Sequence, residues 1–462
     1  MLGGWRRNRV VVWGVLIVVL LALMGGVVAI VTLVQRDGGP VERTISLGAM
    51  LAPMPIAPLV DEDNGRVFIL GYGPGTENGV RMGILDGVDG RLVRTVPLPT
   101  FSLAPLALDR RHNRLIATGN AIAILDATSG RVLRVLAIET GPLAVDERTG
   151  HTFVAGPDSV SMLDSSGRLS AAPPVPAHYP GAIAVDGQTG RVFVLNAGDG
   201  TVSTIDARSG ALIATVATGL TPDVNHRDAE RIAVDEQAGT VFASSSNTPL
   251  VAVLDAHSGR LIRATKVGQG PGLLAIDEPH GRVVVANVLD NSVSVLDARG
   301  GALVRTVFGG LEPRGLAVDG RTGRAFVVTG DGTVRVLDTG NGALIHAINV
   351  GATAAMDDLS REIAVDERDG RVFVVSPRRN AVSVLDARGG AILRTVRVGT
   401  TPIAVAVDST RGRAYVVSQG SPQPVPDRWT WLPGWLRARL PFVPAPPSAP
   451  VNTGSVTVID SR

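Results

Sequence analysis

The side chains best suited to chemistry stand in two segments. Asp223, His226, Asp228 and Glu230 lie in TPDVNHRDAER (221–231), and Asp357 and Asp358 lie in ATAAMDDLSRE (352–362). Carboxylates with a single imidazole are ligand types for a hard divalent cation, or for a borderline one. Such a cation would polarise a carbonyl or activate water, so a metal-assisted hydrolase or lyase carried by His226, Asp228, Glu230 and Asp358 is one expectation. Arg227, Arg231 and Arg361 are interleaved with these acids and would neutralise them as surface ion pairs instead. Covalent catalysis is not signposted: the chain has no cysteine, no G-x-S-x-G and no H-E-x-x-H. Binding rather than catalysis is therefore the expected activity, no organic cofactor is expected, and a divalent cation is the one group these residue types would accommodate.

A second constellation suits recognition. Trp429, Trp431 and Trp435 cluster with Arg428, Arg437 and Arg439 in a proline-rich stretch, residues 419–453. Tryptophan and arginine are the commonest energetic anchors of protein interfaces, so this stretch is expected to engage a surface protein or polymer. His178 and Tyr179, in a shorter connecting segment, and Arg231 and Arg361, in the two segments above, are further candidates for that contact.

Both constellations interrupt a repeat that fills the chain after residue 40. Its clearest copy is 362–399, EIAVDERDGRVFVVSPRRNAVSVLDARGGAILRTVRVG, four short apolar strands separated by turns rich in Gly, Asp or Asn. Inner-strand signals end at Asp61, Asp109, Asp146, Asp186, Asp235, Asp277, Asp319, Asp366 and Asp408, spaced 37 to 49 residues apart. Nine third-strand signals match them, from Asp86 to Asp460. The ninth unit stops after its third strand, and an orphan outer strand, VERTISLG, stands at 41–48. The two ends would pair and close a ring, removing the open sheet edges that template aggregation. The inner strand is expected to be buried on both faces and the fourth to lie outermost. Nine blades are predicted, with eight as the alternative because Pro173 and Pro174 break the outer strand of the third unit.

The segments GRVFVLN (190–196) and RVVVAN (282–287), with the V-S-V-L-D-A and closing V-G patterns, resemble the YVTN-repeat family of bacterial β-propellers. That resemblance implies an all-β propeller of about nine four-stranded blades serving as a binding platform. It also links the hydrolase alternative to lactone-cleaving propellers, with a small molecule at the central channel.

The repeated aspartates are expected to be turn formers rather than metal ligands: Gly follows most of them about four residues later, and no complete calcium loop is present. Arg66, Arg114, Arg191, Arg282, Arg324, Arg371 and Arg413 recur at the starts of second strands, beside acids that cancel most of their field.

Residues 10–34 form an uncharged apolar run preceded by Arg6, Arg7 and Arg9, which predicts a transmembrane signal anchor with residues 1–9 in the cytoplasm. A short linker, 35–40, would hold the propeller, 41–462, close to the outer side of the cell membrane. Cleavage as a signal peptide is the competing reading, though no A-x-A site follows. Entry at the start of an outer strand would put the membrane on the side of the short turns, and the tryptophan insertion on the opposite side. The formal charge is +2 with Lys266 the only lysine, so nucleic acid is not an expected partner. A monomeric propeller is expected.

Overall fold

The computed structural model describes residues 31–34, 42–47, 52–53, 58–72, 79–98, 106–138, 140–221, 230–351, 362–420, 422–423, 451–452 and 454–461. They form nine antiparallel blades in a closed ring, with one further two-stranded ladder. Eight blades follow one another directly, from inner strand to outer, beginning with Leu59–Asp61 in blade 1 and Ile363–Asp366 in blade 8. Blade 9 takes Pro402–Asp408, Arg413–Ser418 and Ser455–Asp460 from the C-terminal end and Glu42–Ser46 from the N-terminal end. The closing register runs from Glu42 opposite Ile459 to Ser46 opposite Ser455. Thr44 and Thr457 share a hydroxyl hydrogen bond of 2.9 Å across that seam.

The second strands are the enclosed layer. In Arg191–Asn196, RVFVLN, every residue after the arginine is buried. Continuous β-branched and aromatic residues suit a strand packed on both faces by neighbouring blades. An aromatic residue recurs at its third position, and Phe68, Phe153, Phe193, Phe242, Phe326, Phe373 and Tyr415 are fully buried. Tyr415 donates its hydroxyl hydrogen to the Gly87 carbonyl of blade 1, so the aromatic layer also ties the ring at its closure. The core is thus a series of interfaces between blades, such as Phe193, Leu195 and Val202 against Val241 and Ala252.

Three expectations need correction. The inner strands are only half-buried, as in Pro180–Asp186, because their free edges wall the central channel. The third blade keeps its place in the ring but its outer strand shrinks to Val175–Pro176, since proline cannot donate to a ladder. Blade 1 has two segments against its second strand, Ala52–Pro53 and Leu59–Asp61.

The last correction concerns the apolar run. Its last four residues, Val31–Val34, are not helical but pair as a fifth strand on blade 9, with Val31 opposite Ile45 and Val34 opposite Glu42. Antiparallel pairing reverses the chain. Val34 lies at the short-turn end of the blade and Val31 near the other end, so the chain arrives from the side opposite to the one expected. Residues 1–30 lie outside the described residues, and no described helix is long and apolar enough to cross a membrane.

Candidate functional site: the loop face of the ring

Strands alternate in direction, so the loops between second and third strands share one face with the loops joining consecutive blades. On this loop face the two sets brace each other through backbone hydrogen bonds. Between blades 3 and 4, Ala197 donates to the Tyr179 carbonyl at 3.0 Å, and Gly198 donates to that of His178 at 2.9 Å. Blades 5 and 6 repeat the device with Val288 and Leu289 on Gly270 and Gln269, and blades 8 and 9 with Gln419 and Gly420 on Thr401 and Thr400.

The braced loops hold a strained residue. Tyr179, Glu312 and Thr401 each precede the proline that opens an inner strand and adopt φ of 48°, 49° and 51°. Blade 6 places Gly270 there at φ 67°, the unstrained choice. A non-glycine residue in this region costs on the order of 1–3 kcal/mol and persists only where its surroundings over-determine it. Asn291 Oδ1 accepts from the Glu312 amide at 2.7 Å, and Asn380 Oδ1 from that of Thr401 at 2.9 Å, which supplies part of that restraint.

Rigid loops present apolar side chains to solvent at blades 6 and 7. Leu289 is 72% exposed, Phe308 55% and Leu311 52%, and the Arg335 guanidinium lies 4.7 Å from the Phe308 ring centre. Apolar and aromatic groups on a fixed backbone lose little entropy on contact, which is how interface anchors act.

At the channel mouth the aliphatic inner strands give way to charge. Glu230 is buried with its side chain over Gly181 of the preceding blade, where an added Cβ would stand 2.6 Å from the Glu230 Cγ. Arg231 donates to the Glu230 carbonyl at 2.8 Å. Glu362 is 7% exposed, and its Oε2 has no hydrogen-bond partner among the described residues. Burial pushes its carboxyl up to about 7, against the opposing pull of Arg314, which itself binds Glu312 at 2.5 Å.

The opposite face is built for stability. Each inner-strand aspartate is buried, and most accept amides of their own turn, as Asp186 Oδ1 does from Gln188 at 2.8 Å. Third-strand aspartates do the same: the Ser129 hydroxyl and amide hold Asp126 below the usual carboxylate range. The recurring arginines pair locally, Arg191 with Asp206 at 2.7 Å and Arg324 with Asp338 at 2.7 Å. Glu62, Glu236 and Glu367 reach across blade boundaries to accept amides of Ser409, Gly187 and Gly320. A cavity of about 280 Å³ between blades 5 and 6 is lined by Glu278, His280, Arg282, Asp297 and Arg299.

Of the residues singled out by sequence, His178 and Tyr179 are exposed on the braced loop and Arg231 and Glu230 stand at the channel mouth. Asp223, His226, Asp228, Asp357, Asp358, Arg361, Arg428, Trp429, Trp431, Trp435, Arg437 and Arg439 lie outside the described residues. No group of three His, Asp or Glu side chains able to hold a metal occurs among the described residues. Leu289, Phe308, Leu311 and Glu362 were missed. The first three stand at the loop-face ends of blade 6 or in its exit loop, where an apolar residue among turn formers was the available signal.

A family model described as outer membrane protein assembly factor BamB matches residues 31–307 and, in a second overlapping match, 198–419. No curated protein matches the chain. Among solved structures, dihydro-heme d1 dehydrogenase NirN in complex with DHE is similar at 16% identity over 77% of this chain and 78% of that one, with a TM-score of 0.52. BamB from Moraxella catarrhalis matches at 17% identity over 78% and 98%, with a TM-score of 0.49. The computationally designed Ika8 protein matches at 16% over 76% and 98%, with a TM-score of 0.48. Identities this low speak to the propeller fold alone.

Proposed function

Because the chain belongs to the family described as outer membrane protein assembly factor BamB, we propose that it is a protein-binding platform held at the outer side of a membrane, with the loop face as its docking surface. The observation that carries this reading is the exposure of three apolar side chains at the loop-face end of blade 6: Leu289 on a loop fixed by backbone bracing, Phe308 at the end of the outer strand and Leu311 beside the strained Glu312. Isolated exposed apolar residues need no explanation, but three at one end of one blade, on a strand end and braced loops, fit a preorganised contact. The repeats GRVFVLN and RVVVAN support a YVTN-type propeller within that family fold. The apolar run after Arg6, Arg7 and Arg9 supports attachment with the ring outside the cytoplasm. Trp429, Trp431 and Trp435 with their arginines are a second contact region in this reading.

The test is a double substitution, Leu289→Asp with Leu311→Asp, in the full chain. A discrete complex recovered after crosslinking in cells with wild type should be lost, while the melting temperature stays within about 2 °C, as expected for exposed sites. A complex that survives the double substitution would remove this face from the docking surface.

A further inference from the structure

We propose that the blade 8–9 sector of the loop face lies against the bilayer and contacts phospholipid headgroups. The proposal rests on the membrane-held reading above and adds an orientation to it. Val31 sits opposite Ile45 at the loop-face end of blade 9, so the strand Val31–Val34 begins at that face. The uncharged residues 10–30 that precede it still number 21. At a rise of about 1.5 Å each they would span a hydrocarbon core of roughly 30 Å. No linker intervenes between this segment and the strand at Val31, so a bilayer around it would meet the loop-face end of blade 9 first.

Charge on the loop tips is consistent with that placement. The tip of blade 8 is a 3-10 turn, Pro377–Arg379, with Arg378 and Arg379 and no acidic residue in its first turn. The corresponding tips of blades 3, 4, 6 and 7 carry Asp158, Asp199, Asp290 and Asp331 instead. Blade 8, next to the tethered blade 9, therefore has a tip suited to phosphates through exposed Arg378, while Arg379 also donates to the Val350 carbonyl at 3.3 Å, and the acidic sectors would be tipped away from an anionic surface. The ladder between Pro422–Gln423 and Val451–Asn452 leaves the same end of blade 9. A tilted ring of this kind would still offer the Leu289, Phe308 and Leu311 sector to a partner standing beside it.

The chain has no cysteine, so single labels can be placed cleanly. Spin labels at Arg378→Cys and Arg388→Cys report the two ends of the third strand of blade 8, Ala381–Asp386. The full chain would be reconstituted in phosphatidylcholine–phosphatidylglycerol vesicles, and label collisions with oxygen and with a water-soluble nickel chelate compared. The expected result is a label at 378 that favours oxygen several-fold over its value in detergent, with the label at 388 remaining fully aqueous. A protected 388 with an aqueous 378 would mean that the short-turn face lies on the bilayer, and two aqueous labels on sedimenting vesicles would mean that neither face does. Either outcome overturns the orientation while leaving attachment intact. Failure of the chain to sediment with vesicles would overturn both.

Discussion

At the scale of single residues, Glu362 is the most informative group. It occupies an inner-strand register where other blades place Ala182, Leu273, Gly315 or Ala404, and its carboxyl is enclosed beside Arg314. Its ordinary value of 4.5 rises to about 7 through burial, so between those values the native state holds a proton that the unfolded chain has released. Stability from this group is complete below about pH 4.5, falls as pH rises, and is gone above about pH 7, a change on the order of 3 kcal/mol. Glu362→Gln should remove this slope, so urea midpoints measured from pH 5 to pH 8 should fall in wild type and change less in the variant. Equal slopes would mean that Glu362 ionises as freely as an exposed carboxylate. Sequence gave no hint of this, because burial of one carboxyl depends on neighbours from another blade. The turn aspartates were legible for the opposite reason: their partners are two or three residues away, as with Asp206 and Ser209.

At the scale of elements, strands and turns could be placed from the repeat because each strand carries its own period and each turn its own Asp and Gly. The burial of the strands was less legible. Inner strands look the most apolar, yet they face a channel, and enclosure falls on the second strand instead. Val31–Val34 shows the limit of hydrophobicity as a guide: three apolar residues and a threonine fit a membrane helix or a fifth strand, and an available sheet edge decides. The braced loops were illegible because a left-handed residue before proline has no signature of its own. They give a prediction. Thr401→Gly should relax the strain at φ 51° and raise stability by about 1 kcal/mol after the entropic cost of glycine. Thermal unfolding would check it, and a loss of stability would mean that the threonine side chain, rather than its backbone, holds the loop.

At the scale of the whole molecule, nine blades were countable from nine paired aspartate signals, and closure from the orphan strand at one end and the missing one at the other. The candidate docking surface was only partly readable. Strand alternation puts His178 and Tyr179 among the inter-blade loops, where they lie, whereas the exposed group at blades 6 and 7 depends on loops whose bracing joins residues far apart in the chain. The two faces differ in kind: one is a rim of paired arginines and aspartate-held turns, the other a set of braced loops and strand ends carrying apolar side chains. The measurement that most directly tests whether this asymmetry is functional is a photo-crosslinking scan in living cells. The crosslinking amino acid would replace Leu289 or Leu311 on the loop face, and Val88 or Arg208 on the short-turn face. The account predicts one discrete adduct from the loop-face positions and none from the others. Adducts confined to Val88 and Arg208 would contradict it.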